Sequence, residues 1–200
     1  MKSGQIWRGW NAAGGLKPLA MAGWLLHKLA GPACFRWGLM LQLILMRHAK
    51  AESPEATDDF DRALAPRGRE DAPQVAAALA AEGATPDIAL VSDAKRTRET
   101  WELAAPHFPK TRVKYLHSLY HCSAEMLMAA AELAEANSVI LVGHNPGMHE
   151  LASRLAHRNN PLEAKLRSKF PTSAGAVFTR KDRDSAWKLQ AYITPKMISD

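Results

Sequence analysis

Cysteine is scarce in this 200-residue chain: Cys34 and Cys122 are the only two. Two are too few for a disulfide scaffold, and with Cys34 in the N-terminal segment and Cys122 in the body a functional disulfide between them is not expected, so a reducing cytoplasmic setting is the default. Long apolar runs are also missing. The best early stretch, Leu19 to Leu26, stops at His27-Lys28, and the next is broken by Pro32 and Arg36, well short of the roughly 18 residues a spanning helix needs. A secretory signal would need a longer clean apolar core than this, followed by a small-residue cleavage site, and the fit is poor. Glycine and proline are ordinary at 12 each, and 47% hydrophobic against 23% charged residues excludes disordered, collagen-like and low-complexity classes.

Acid is absent before Met40, where Lys2, Arg8, Lys17, Lys28 and Arg36 stand with four of the six tryptophans. These five cations account for most of the net charge of +6 and leave the remaining body one unit positive. Non-specific binding to a polyanion scales with the phosphates neutralised, so neither nucleic acid nor a membrane is an expected partner of the body. Residues 1–39 are read as an N-terminal extension: a start placed upstream of the natural Met40, a weakly folded addition, or a basic, tryptophan-bearing targeting segment. Residues 40–200 are read as one globular domain.

From Met40 onward, short apolar runs alternate with longer helical patterns, the rhythm of an α/β fold. Leu41 to Met46, Asp87 to Ser92 and Ser138 to Gly143 read as buried strands. Arg112 to Leu116, Ala174 to Thr179 and Lys188 to Ile193 are weaker strand patterns. Helices are predicted over Arg67 to Glu82, stopped by Gly83, over Arg96 to Ala105 before Pro106, and over Ser123 to Ala136. A last one runs from Gly147 to His157, with Asn145 read as its cap and Pro146 as its first residue.

Each of the three strong strands is followed at once by anion-binding residues: Arg47-His48-Ala49-Lys50, Ser92-Asp93-Ala94-Lys95-Arg96, and Gly143-His144-Asn145-Pro146-Gly147. In an open parallel sheet the ligand crevice lies at the carboxyl ends of the strands, so the three segments should converge on a cationic pocket holding two histidines. A phosphoryl group is the natural guest. Taken singly, each segment has an ordinary structural explanation; in this order, after these strands, they point together to phosphate chemistry.

These residues carry a resemblance. Leu45-Met46-Arg47-His48-Ala49-Lys50-Ala51, Ser92 through Arg96 to Thr100, and Val142-Gly143-His144-Asn145-Pro146-Gly147 resemble the histidine phosphatase superfamily, and its SixA-type phosphohistidine phosphatase branch in particular. The stretch Asp59 to Gly68 is similar to that branch as well, and the likeness runs from about Leu41 to the C-terminal strands. The fold it implies is a single α/β domain, phosphoglycerate mutase-like, with a mostly parallel central sheet flanked by helices on both faces.

The resemblance implies a cofactor-independent phosphatase with a covalent phosphohistidine intermediate. It makes His48 the nucleophile, Arg47 and Arg96 the holders of phosphate oxygens, and His144 a second histidine donating to the phosphoryl group. Lys50 and Asn145 are candidate pocket-wall residues. Arg98, Arg62 and the acidic run Asp58, Asp59 and Asp61 are read as structural or solvated. Many members place a carboxylate in mid-chain as proton donor, where this chain has Leu119-Tyr120-His121-Cys122-Ser123-Ala124-Glu125. His121, Glu125 or no strong donor are the open readings, because a phosphoramidate leaving group takes the proton on its own nitrogen. No metal or cofactor is implied, since the chemistry uses protein groups alone. The substrate is expected to be a phosphorylated protein bearing phosphohistidine. The alternatives are a small phosphorylated metabolite on the same machinery, and a non-catalytic phosphate-binding module.

Overall fold

A computed structural model describes residues 40–53, 58–158 and 160–199. The expectations for residues 1–39, and Cys34 with them, lie outside the described residues. The elements, in chain order, are β1 (Gln42–Arg47), α1 (Pro66–Ala81), β2 (Ile88–Ser92), α2 (Lys95–Ala104), β3 (Arg112–Leu116) and α3 (Ala124–Glu132). They continue with β4 (Ser138–Gly143), α4 (Gly147–Leu155), α5 (Pro161–Ser168), β5 (Gly175–Thr179), β6 (Lys188–Ile193) and α6 (Pro195–Ser199). The six strands form one sheet in the order β3-β2-β4-β1-β5-β6. The four strands from β3 to β1 run parallel, while β5 and β6 are antiparallel, so the sheet is mixed.

The apolar run of β1 follows from burial on both faces. Leu43 and Leu45 pack with Leu127 of α3, Met148 and Leu151 of α4 and Leu166 of α5. Ile44 and Met46, pointing the other way by the two-residue period of a strand, pack with Val75 and Leu79 of α1 and Trp101 of α2. Each side chain of this size contributes about 1.5–3 kcal/mol when fully buried, and such doubly covered strands read as continuous hydrophobic segments. The fold is therefore a three-layer α/β domain.

Two Asn-Pro pairs behave differently. Asn160 caps α5, its Oδ1 accepting from Glu163 N at 2.9 Å with Pro161 as the first helical residue, a helix that the sequence patterns above do not include. Asn145 does not cap α4: Pro146 stands at the cap without a side-chain hydrogen bond, and the Asn145 amide donates to the Phe170 carbonyl at 2.9 Å. The helix after Ser123 also ends at Glu132 rather than Ala136, because the chain turns through a left-handed Glu135 (φ 50°) to enter β4.

Candidate active site

The strand register sets the site. Arg47, last in β1, lies opposite Gly143, last in β4, so the two following residues, His48 and His144, leave the sheet side by side. His48 N donates to Gly143 O at 3.0 Å, and the two imidazole centroids are 5.1 Å apart. The next strand, β2, ends in Ser92, whose Oγ is 2.9 Å from His144 Nε2. In the first turn of α2, Arg96 is 3% exposed and brings Nη2 to 3.2 Å from His144 Nδ1. A guanidinium only donates, so Nδ1 of His144 accepts from Arg96 and its Nε2–H donates to Ser92.

The opposite nitrogen argument applies to His48. Its Nδ1 lies 2.8 Å from the Ala49 carbonyl, which only accepts; Nδ1 therefore carries the proton and Nε2 keeps its lone pair. Burial, with the positive charges of Arg96, Arg47 and Arg62, pushes the His48 pKa down to about 3. Burial, with the guanidinium of Arg96 and the rings of His48 and His121 close by, likewise lowers His144 to about 2. Both rings are neutral at neutral pH. The backbone around them is fixed: Thr100 Oγ accepts from Ala49 N at 3.0 Å and donates to Arg96 O at 2.6 Å, and Ser173 N donates to the His48 carbonyl at 3.1 Å. Arg47 donates through Nη1 to Phe170 O at 2.9 Å, while its buried Nε has no partner among the described residues.

The structure thus brings Arg47, His48, Arg96 and His144 together, with Asn145 tied to the same Phe170 carbonyl. His121 joins them: its ring lies 5.7 Å from that of His144, and its Nε2 is 3.6 Å from Asp59 Oδ2. Glu125 does not join. It is 62% exposed and pairs with Arg154 of α4, which holds its carboxyl down at about 2. Lys50 is also outside the cluster, exposed and lining a neighbouring cleft. Arg98 lies exposed over the Tyr115 ring, 5.0 Å from its centroid.

Two residues enter to which the sequence reading gives no role in the site. The Asp59 carboxylate, read as part of a solvated turn, accepts from Tyr120 Oη at 2.7 Å, Arg96 Nη2 at 2.9 Å and Arg62 Nη1 at 2.8 Å. Those donors hold its pKa far below the usual carboxylate range. Tyr120 stands edge-on to His144 at 5.4 Å. The resemblance of Asp59 to Gly68 to the SixA-type branch is the signal that this turn belongs to the site. Among the described residues, no group of three or more His, Cys, Asp or Glu side chains is placed to hold a metal ion.

A buried and a half-buried guanidinium, Arg96 and Arg47, beside a neutral, tautomer-fixed histidine form a receptor for a phosphoryl group. The family model of the histidine phosphatase superfamily (branch 1) matches residues 43–123, which hold Arg47, His48 and Arg96. An uncharacterized protein of Mycobacterium tuberculosis is 33% identical over 137 residues, spanning 66% of this chain and 85% of its own. The chain belongs to the histidine phosphatase superfamily. Its structure is similar to that of a protein of Agrobacterium tumefaciens assigned as phosphohistidine phosphatase SixA, at a TM-score of 0.69 and 32% identity over 79% of this chain and all of the other. The corresponding protein of Nakamurella multipartitia gives a TM-score of 0.66 and 27% identity, covering 78% of this chain and 96% of its own. No helix among the described residues is long and apolar enough to cross a membrane.

Proposed function

We propose that this protein is a phosphohistidine phosphatase acting on a phosphorylated protein through a covalent intermediate on His48. The observation that carries the reading is the fixed tautomer of His48, whose Nδ1–H is held by the Ala49 carbonyl beside Arg47 and Arg96. That arrangement leaves Nε2 as a neutral nucleophile facing cationic groups.

In the first step the Nε2 lone pair forms a bond to phosphorus as the substrate's P–N bond breaks. Arg47 and Arg96 hold the equatorial oxygens, with charge-assisted hydrogen bonds that strengthen as negative charge spreads. Arg62 adds positive charge to the same region. The unpartnered Nε of Arg47 is one donor available to a phosphoryl oxygen. When Arg96 moves its hydrogen bond from His144 Nδ1 to a phosphoryl oxygen, the negative charge of the bound phosphate favours a proton on the freed Nδ1, which then donates to the phosphoryl group. His121 protonates the departing imidazole nitrogen, with the ionised Asp59 carboxylate as its counter-charge. Glu125, committed to Arg154, has no part. In the second step water attacks phosphohistidine-48, phosphate leaves, and neutral His48 returns.

The test is phosphate release by the full chain from a phosphohistidine-bearing protein and from a panel of phosphomonoesters, with His48→Ala as blank. Preferential His48-dependent release from phosphohistidine supports the assignment. Preference for one small phosphoester moves the function to a metabolic phosphatase, and no release from any substrate to a phosphate-binding module. Chelators should leave the rate unchanged, because every group in the steps above belongs to the chain.

A further inference from the structure

The reaction centre is bounded on one side by the loop between α5 and β5, and that loop also borders a cleft of about 780 Å3 that the chemistry above does not use. Five cations line the cleft: Lys50 after β1, Arg67 in the first turn of α1, Lys165 in α5, Lys169 beyond it, and Lys196 in α6. Asp71 is the single carboxylate among the described lining residues, and it lies 3.6 Å from Arg67. All five cations are exposed. Among the described residues no carboxylate forms an ion pair with any of the four lysines.

The walls are held firmly. Ala65 N donates to Lys50 O at 2.9 Å, and Gly68 approaches so closely that a Cβ there would sit 2.2 Å from that oxygen. On the other wall the Lys169 carbonyl accepts from the buried Tyr192 hydroxyl. The next residues connect the two sites, since Pro171 and Thr172 line the cleft while the Phe170 carbonyl receives Arg47 and Asn145, and Ser173 N binds the His48 carbonyl.

The composition of the lining selects its ligand. A single buried phosphate is best held by planar guanidinium forks. Four exposed lysines are separate, mobile point charges, which suit several carboxylates spread over a partner's surface and raise its association rate. We propose that the cleft docks an acidic stretch of the protein that carries the phosphohistidine, with its carboxylates meeting Lys50, Lys165, Lys169 and Lys196 while the phosphoryl group reaches His48. This rests on the phosphohistidine reading of the site.

The experiment uses the full chain and three probes: free N-phosphohistidine, and an acidic and a neutral protein domain each phosphorylated on a surface histidine with potassium phosphoramidate. The readout is the ratio of kcat/KM for the acidic domain to that for free phosphohistidine. In K165E/K169E this ratio falls about tenfold, whereas K114E/K188E, with the same charge change at exposed lysines of β3 and β6, retains it. The wild-type rate on the acidic domain also falls more steeply with salt than the rate on the neutral one. If charge reversal impairs folding, K165Q/K169Q gives a smaller fall of about threefold in the same ratio. An unchanged ratio, or an equal fall in both double variants, overturns the proposal. So does a fall confined to a small substrate bearing a second phosphate, which would make the cleft a second-anion subsite. A wild-type protein that hydrolyses phosphomonoesters but neither phosphorylated domain nor free phosphohistidine refutes the functional reading itself, and the docking proposal with it.

Discussion

The two halves of the sheet supply the candidate site with different kinds of atoms. The parallel strands β1, β2 and β4 end in side chains or lead straight into them: Arg47 and His48, Ser92, and His144. The loop that leads into the antiparallel half contributes main chain, through the Phe170 carbonyl that accepts from Arg47 and Asn145 and the Ser173 N–H that holds the His48 carbonyl. Side chains that meet a substrate in one half are thus positioned by backbone from the other. Variants in the first should reduce turnover while leaving the fold, and loss of contacts to the second should reduce stability and positioning first.

The largest effect on that contrast is expected from His48→Ala, which should lower turnover by at least about 10^4-fold and leave no acid-labile phosphate trapped on the chain. Wild-type-like phosphate release by this variant would sink the covalent mechanism. Arg96→Ala should cost about 10^2- to 10^3-fold in kcat, by analogy with loss of a transition-state donor. Arg98→Ala, at an exposed position two residues on, should stay within about twofold; steady-state kinetics of the pair separates them. The histidines also make the parallel half acid-sensitive. His48 and His144 titrate near 3 and 2 in the folded state against 6.5 unfolded, so the unfolded chain binds more protons between these limits. Their contribution to stability is complete above pH 6.5 and is lost as pH falls toward 3. Urea midpoints should therefore drop between pH 7 and pH 5, and equal midpoints would contradict the neutral histidines. The smallest effect is Asn145→Ala, which removes the hydrogen bond to Phe170 O at a cost of about 1 kcal/mol. A thermal melt should show it as a drop of a few degrees, about 2–4 °C.

Side chains placed directly after apolar runs were legible from the sequence, because burial on both faces makes β1, β2 and β4 unmistakable and the fold sends their ends to one crevice. Arg47, His48, Arg96 and His144 come together for that reason. Residues whose place depends on a partner distant in the chain were not legible. Asp59 reads as one acid in an exposed turn until Arg96 and Tyr120, 37 and 61 residues away, close on it. Asn145 looks like a helix cap because nothing nearby reveals that Phe170 competes for its amide. Glu125 is drawn outward by Arg154, a residue of the following helix. Lys50 follows the Arg-His pair closely, yet its backbone is pinned against α1 and its side chain serves another surface. The same long-range dependence hid α5, whose short pattern stands out only once Asn160 is seen as its cap.

One contact bears on how tolerance to substitution should be interpreted here. A Cβ at Gly147 would lie 2.2 Å from the Cys122 carbonyl oxygen, in the backbone just after His121. That overlap with main chain cannot be relieved by a side-chain rotation. In a deep mutational scan, position 147 should score as intolerant as the histidines, although glycine has no functional group to offer. An activity-based map of this protein will therefore mark chemistry and close backbone packing with the same signal. Only abundance measured alongside activity would tell the two apart.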